Sequence, residues 1–189
     1  DIVDIVDRLK KDFPVVIDEA MKVTSYGSLL KVCKDLLHEK IPIIDMLTII
    51  EAIADIAEFT KAPEVLLEHV RAKLYRLITQ KFKDNDGILH IITIKPELEQ
   101  QFIGKLQEHH GVSQLMISIA EINNLVTKTK TLLDEIEAKG FSKITMVVDP
   151  VLRKRISEIY EKFGLQVSVL SHAELDSRAN FAIEGTLEF

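Results

Sequence analysis

Apolar positions in the first eighty residues recur at helical spacing. Ile2, Ile5, Val6 and Leu9 define a short amphipathic opening helix that Pro14 interrupts. A second helix begins behind Ser25, a residue suited to N-capping, and carries Leu29, Leu30, Val32, Cys33, Leu36 and Leu37 until Pro42 ends it. The third, expected from Met46 to Phe59 with Asp45 as its cap, is apolar around most of its circumference. Thr48, Glu51, Asp55 and Glu58 form its single polar stripe, so this helix belongs at the centre of a bundle with one edge facing water. A fourth helix opens at Pro63 and turns Leu66, Leu67, Val70, Leu74, Leu77 and Ile78 inward, with Glu68 and Arg71 spaced to pair at i, i+3.

At Asp84-Asn85-Asp86-Gly87 the pattern changes. This turn-forming cluster is followed by Ile88 to Ile94, a β-branched run of strand length. Lys95-Pro96-Glu97 opens a short helix with Leu98, Phe102 and Leu106, and Gly111 closes that segment after His109-His110. A long helix follows, with Leu115, Ile119, Ile122, Val126, Leu133 and Ile136 on one face and Lys139-Gly140 as its stop. Lys143 to Val148 reads as a buried strand, Asp149-Pro150 as a helix cap and first position, Gly164 as the stop of that helix, and Gln166 to Leu170 as the next strand. Such a strand-helix-strand crossover is normally parallel. Ser171-His172-Ala173-Glu174 has a capping-box pattern, and Phe181, Ile183 and Leu187 mark a last strand. The predicted fold is therefore α+β overall: an all-α helical bundle over 1–83 and a small α/β domain over 84–189, with the turn at Asp84 to Gly87 as a candidate flexible point.

Composition narrows the function classes. The 189 residues are 47% hydrophobic and 29% charged, enough to bury a core, and the net charge is −6. Residues 1–80 hold 11 basic and 14 acidic side chains and residues 81–189 hold 13 and 16, so neither half offers the basic field that nucleic acid or anionic lipid requires. The single Cys33 has no disulfide partner and lies in an apolar helical pattern, which reads as a structural thiol in a reducing compartment. No apolar run reaches the roughly 20 residues of a membrane helix. The chain opens at Asp1, already inside an amphipathic pattern, and is expected to be a piece of a longer protein.

Chemistry is sparse. Glu51, Asp55 and Glu58 can be read as paired carboxylates, but no histidine falls at ligand spacing on their helix, and the plainer reading is a solvated bundle edge or an acidic patch for a basic partner. Adjacent His109 and His110 diverge in direction and read as a surface loop; His38, His69, His90 and His172 stand singly, as surface or half-buried polar residues. No Gly-x-Ser-x-Gly elbow and no glycine-rich phosphate loop follows any strand. Arg153-Lys154-Arg155, the densest basic spot, reads as a solvated helix face. Neither catalysis nor a cofactor or metal is expected.

One resemblance adds to this. Lys40-Ile41-Pro42-Ile43-Ile44-Asp45, Thr48 to Asp55, Thr60-Lys61-Ala62-Pro63-Glu64, Glu68-His69-Val70-Arg71 and the run from Arg71 to Gln80 are similar to the cytoplasmic region of the FHIPEP family, the large membrane proteins of the bacterial type III export gate. Val148 to Arg153 and Val169 to Leu175 resemble the final small α/β domain of the same family. From Lys95 to Gly140 only the order of elements agrees, and Ile44 and Leu47 stand where basic residues are usual.

The resemblance implies the third and fourth cytoplasmic subdomains of a flagellar export gate, at the cytoplasmic face of the inner membrane, tethered only by transmembrane helices upstream of the chain. It implies a homo-oligomeric ring in the full protein. Implied partners are flagellar export chaperones with their substrates, soluble components of the export ATPase complex and other export-gate membrane proteins. Asp45, Glu51, Asp55, Arg71 and Arg76 occupy family-matching positions and are the candidate structural or partner-interface residues, with local capping and ion pairing as the plainer reading. A homologous virulence-type secretion protein is the alternative within the class, and a regulatory nucleic-acid-binding module the alternative outside it.

Overall fold

A computed structural model describes all residues from Asp1 to Phe189. The backbone divides into two compact units, Asp1–Leu74 and Tyr75–Phe189.

The first unit is entirely helical. α1 (Ile2–Asp12) is capped by the Asp1 carboxylate, which accepts from the Val3 amide at 3.0 Å. Pro14 ends α1 and also starts a helix the periodicity did not reveal, α2 (Pro14–Val23), because a proline at the first helical position gives up only an amide that has no intrahelical partner. α3 (Tyr26–His38) is capped by Ser25 and closes at Lys40, whose φ of 64° lets the Lys40 and Ile41 amides donate back to the carbonyls of Leu37 and Leu36. That closure drops Ile41 into the core, fully buried. α4 (Met46–Ala57) packs on α2 and on α5 (Pro63–Lys73), and α3 packs on α1 and α5. Leu29, Val32 and Leu36 of α3, Ile49, Ile50 and Ile53 of α4, and Leu66, Leu67 and Val70 of α5 form the buried interior.

Pro63 was expected to open one long helix, but that helix is two. At Leu74 the backbone leaves helical geometry, its amide shared between the carbonyls of Val70 and Arg71, and α6 (Tyr75–Phe82) begins in the second unit. There Thr79 donates from its hydroxyl to the Glu174 carbonyl at 3.2 Å and accepts from the Asp176 amide at 2.9 Å. These bonds group α6 with the α/β unit, so the Asp84 turn lies inside that unit, and the units divide after Leu74 where the turn cluster pointed to residue 84.

A four-stranded sheet organises the second unit in the order β5-β4-β1-β6, every pairing parallel: β1 (Ile88–Ile94), β4 (Ile144–Val148), β5 (Ser168–Ser171) and β6 (Asn180–Leu187). β4-α9-β5 is the expected crossover, with α9 (Pro150–Lys162) capped by Asp149. Between β1 and β4 run α7 (Pro96–Ile103), a hairpin of β2 (Leu106–His109) and β3 (Val112–Leu115), and α8 (Ile119–Ala138). The hairpin replaces the ends of two expected helices. His110 and Gly111, with φ of 52° and 78°, supply the left-handed pair that a two-residue hairpin turn requires.

α8 buries a stripe shifted from the expected one, through Leu125, Thr129 and Ile136, while Ile119 is 78% exposed. A threonine is tolerated in that stripe because its hydroxyl donates to the Leu125 carbonyl and meets the Tyr160 hydroxyl at 2.8 Å. Around it the core gathers Ile94, Leu98, Phe102, Met146, Leu152, Ile156, Val169 and Leu187.

Candidate functional site

The polar stripe of α4 faces a groove. α2 supplies Val15, Val16, Glu19, Ala20 and Val23 to one wall; α4 supplies Thr48, Glu51, Ala52, Ala54, Asp55 and Glu58 to the other, and Lys73 of α5 joins them. The groove has a volume of about 660 Å³. Its shape follows from the sequence: Ala20 and Ala52 are small and buried on α2 and α4, and Val15, Val16, Glu19 and Glu51 beside them are exposed. Val15 remains 72% exposed and Val16 37% exposed, which leaves apolar surface in water beside four carboxylates and one ammonium.

The candidate residues separate into three settings. Asp45 caps α4, accepting from the Thr48 amide at 3.2 Å and the Thr48 hydroxyl at 2.7 Å. Glu51 and Asp55 come together on the groove wall, and Asp55 lies 3.5 Å from His69 Nε2. Arg71 is buried away from this surface, where it donates to Glu39 at 2.9 Å and ties α5 to the residue that ends α3. Interior ions of this kind need a partner, because an unpaired buried charge is strongly unfavourable. Arg76 belongs to the second unit, exposed, with its guanidinium 5.3 Å from the Tyr75 ring centre.

Within the α/β unit, polar residues that looked solitary in the sequence are joined. His90 is 4% exposed, its Nδ1 2.8 Å from Glu184 and its Nε2 2.6 Å from Asp84, with the Phe141 ring stacked 4.3 Å away. A bulge in the β1–β6 pairing, where Ile91 faces Ile183 but Ile92 faces Gly185, inserts Glu184 as the extra residue. Burial opposes protonation of His90, yet the hydrogen bonds and charges of Glu184 and Asp84 outweigh it and hold the pKa above the ordinary histidine value. Asp84 is held below the ordinary carboxylate value by the Ile88 amide first and by His90 next. The one sequence signal for this cluster is a histidine inside an isoleucine-rich strand.

Arg153 also departs from the solvated face expected of it. It is fully buried, its Nε 3.5 Å from Glu174, and Arg155 donates to the Ser113 carbonyl at 2.6 Å. On α9, Arg153 shares a face with Leu152, Ile156 and Tyr160, all buried, so its charge is withdrawn from solvent and lies beside Glu174 in the turn after β5. Cys33 is buried too, and desolvation pushes its thiol up to about 11, which leaves it protonated and unreactive near neutral pH. No group of three or more His, Cys, Asp or Glu is placed to hold a metal ion, and no helix is long and apolar enough to cross a membrane.

Comparison with known proteins follows the same lines. The flagellar biosynthesis protein FlhA of Helicobacter pylori is 39% identical over 184 residues, covering 97% of this chain and 25% of that protein. Among solved structures, the nonameric SctV-C of EPEC superposes with a TM-score of 0.87 at 18% identity, covering 98% of this chain and 56% of that one. CdsV in the Chlamydia pneumoniae CdsV and CdsO complex does so with 0.85 at 19%, covering 99% and 55%. The chain thus spans about a quarter of the length of the curated relatives it matches. The profile of the FHIPEP family matches residues 1–180, and the chain belongs to that family.

Proposed function

We propose that the chain is the cytoplasmic part of a flagellar type III export gate, where it helps to form a cytoplasmic ring and to dock chaperone-bound export substrates and soluble export components. The observation that carries this reading is the 39% identity to the Helicobacter pylori FlhA across 97% of the chain. The helical and α/β units are then the third and fourth cytoplasmic subdomains of a protein held at the inner membrane by helices elsewhere in its length.

A ring is supported by the nonameric state of the EPEC protein, which shares the fold, and a soluble export component as partner by the complex of CdsV with CdsO. The flagellar branch is favoured over the virulence branch because identity to the FlhA relative is 39%, against 18% and 19% to these secretion proteins. The chemistry agrees with a docking role. Charged side chains on the surface of the helical unit rim a groove, and the strongly held ones inside the α/β unit lock elements together, which leaves surfaces rather than a reaction centre.

Capture experiments test the reading. Flagellar chaperone–substrate complexes are passed over the immobilised 189-residue chain and, in parallel, over a chain with the full length of its FlhA relatives. Binding to both places a recognition surface within Asp1–Phe189. Binding to the longer chain alone restricts this part to ring packing, and binding to neither overturns the flagellar reading.

A further inference from the structure

The α2–α4 groove joins two properties that solvent alone does not require. Its floor is apolar and narrow in side-chain volume, with Val16, Ala20, Val23 and Ala52, so a methyl-bearing side chain from outside can approach the two helices closely. Its rim carries Glu19 on the α2 wall, paired with Lys22, and Glu51, Asp55 and Glu58 on the α4 wall, with Lys73 the one basic residue among the lining side chains. Glu51, Asp55 and Glu58 follow one another at i+4 and i+3, so they line the same edge of α4 and span about 10 Å at 1.5 Å per residue, nearly two helical turns. Glu51 and Glu58 make no ion pair; Glu19 pairs with Lys22 and Asp55 lies near His69.

We propose that this groove is the docking site of an amphipathic partner helix that lays an apolar stripe between α2 and α4 and carries Lys or Arg on both flanks of that stripe. The charge complementarity selects the occupant. An acidic rim repels phosphate, which excludes nucleic acid and anionic lipid, and it repels an acidic helix equally; an ammonium or guanidinium on a flanking position meets a carboxylate from whichever wall it faces. Three turns of partner helix, about 16 Å, exceed the span from Glu51 to Glu58. The proposal rests on the protein-docking reading above and names the chemistry of one class of partner.

The test uses the 189-residue chain labelled for NMR and a synthetic 18-residue helical peptide with a leucine stripe flanked by lysines, next to the same peptide with glutamate for every lysine. The lysine peptide is expected to shift the signals of Val15, Val16, Ala20, Ala52 and Asp55. Its Kd is expected to weaken at least tenfold in the double variant Glu51→Lys, Asp55→Lys, and several-fold between low and high salt. Val15→Ser, an exposed substitution that leaves the core intact, is expected to weaken binding without changing its salt dependence.

Equal affinity for the glutamate peptide, shifts confined to other surfaces, or an unchanged Kd in the folded double variant would each overturn the proposal. So would concentration-dependent self-association through the same signals, which makes the occupant a second copy. Chaperone capture is run on the unsubstituted chain as well: capture together with failed binding of the lysine peptide removes the groove and leaves the export-gate reading intact, whereas peptide binding without capture does the reverse.

Discussion

The helical unit and the α/β unit handle polar groups in opposite ways. Of the eight buried polar or charged residues, only Arg71 lies in Asp1–Leu74; Thr79, His90, Thr129, Thr145, Arg153, Ser171 and Glu174 all lie in Tyr75–Phe189. A bundle satisfies its backbone within each helix, so its interior can be aliphatic and its charges stay outside, free to shape a surface. A parallel sheet with crossovers brings sequence-distant segments together, and here paired charges link them beside the backbone ladders: His90 joins β1 to the Glu184 bulge and the Asp84 turn, and Arg153 joins α9 to Glu174. Charge in one unit is therefore expected to matter for recognition, and in the other for stability.

That contrast can be broken by substitution. The largest effect is expected from Arg153→Ala, which leaves Glu174 buried without its guanidinium and destabilises by about 3–5 kcal/mol; a denaturant midpoint within experimental error of wild type would show that the α/β unit does not depend on its internal charges. Next stands His90→Gln, expected to cost about 1–3 kcal/mol because both carboxylates lose a charged donor.

Its pH dependence has a definite sign. The folded pKa of His90 is raised, so its contribution is complete below the unfolded value of about 6.5 and is lost as pH rises through the folded value. Asp84 acts at the other limb: its folded pKa is lowered, so its contribution is present above about 3.9 and fades as pH falls through the depressed value. Urea unfolding at mildly acidic and at alkaline pH should show a decline in wild type that His90→Gln flattens, and parallel curves would remove the imidazolium from the account.

A smaller effect sharpens the same point from the favourable side. Thr145 Oγ1 is buried in β4 with no hydrogen-bond partner, so Thr145→Val, which keeps the shape and removes the orphaned hydroxyl, is expected to raise stability by about 1 kcal/mol in thermal melts. Loss of stability instead would mean that the hydroxyl finds a partner in solution. The smallest change is expected in the helical unit, where Glu51→Gln and Asp55→Asn should alter unfolding free energy by less than about 0.5 kcal/mol while weakening the binding of a basic helix.

Sequence and structure meet most closely where a single element decides the outcome. Ser25, Asp45 and Asp149 cap the helices they were expected to cap, and the run from Ile88 to Ile94 and the β4-α9-β5 crossover stand as the pattern of apolar residues indicates. Legibility fails where two segments compete or combine. Pro14 reads as a stop, yet it is also a start; Leu106 and Leu115 fit a helical period equally well but pair across a hairpin. Of the candidate residues, Glu51 and Asp55 were legible as one stripe, whereas the wall opposite them, from Val15 to Val23, was not, because that helix itself was not visible.

By itself, the amino-acid sequence determined the local geometry: periodicity, caps and turn residues act over a few positions, and the energies that select them are contained in neighbouring side chains. The tertiary structure alone decided which charges are inside. His90 is separated by 94 residues from Glu184, and Arg71 by 32 from Glu39, and nothing along the chain marks either pair. A carboxylate near a cation in space can keep both ions buried, and that nearness is created only when the strands and helices between them have packed.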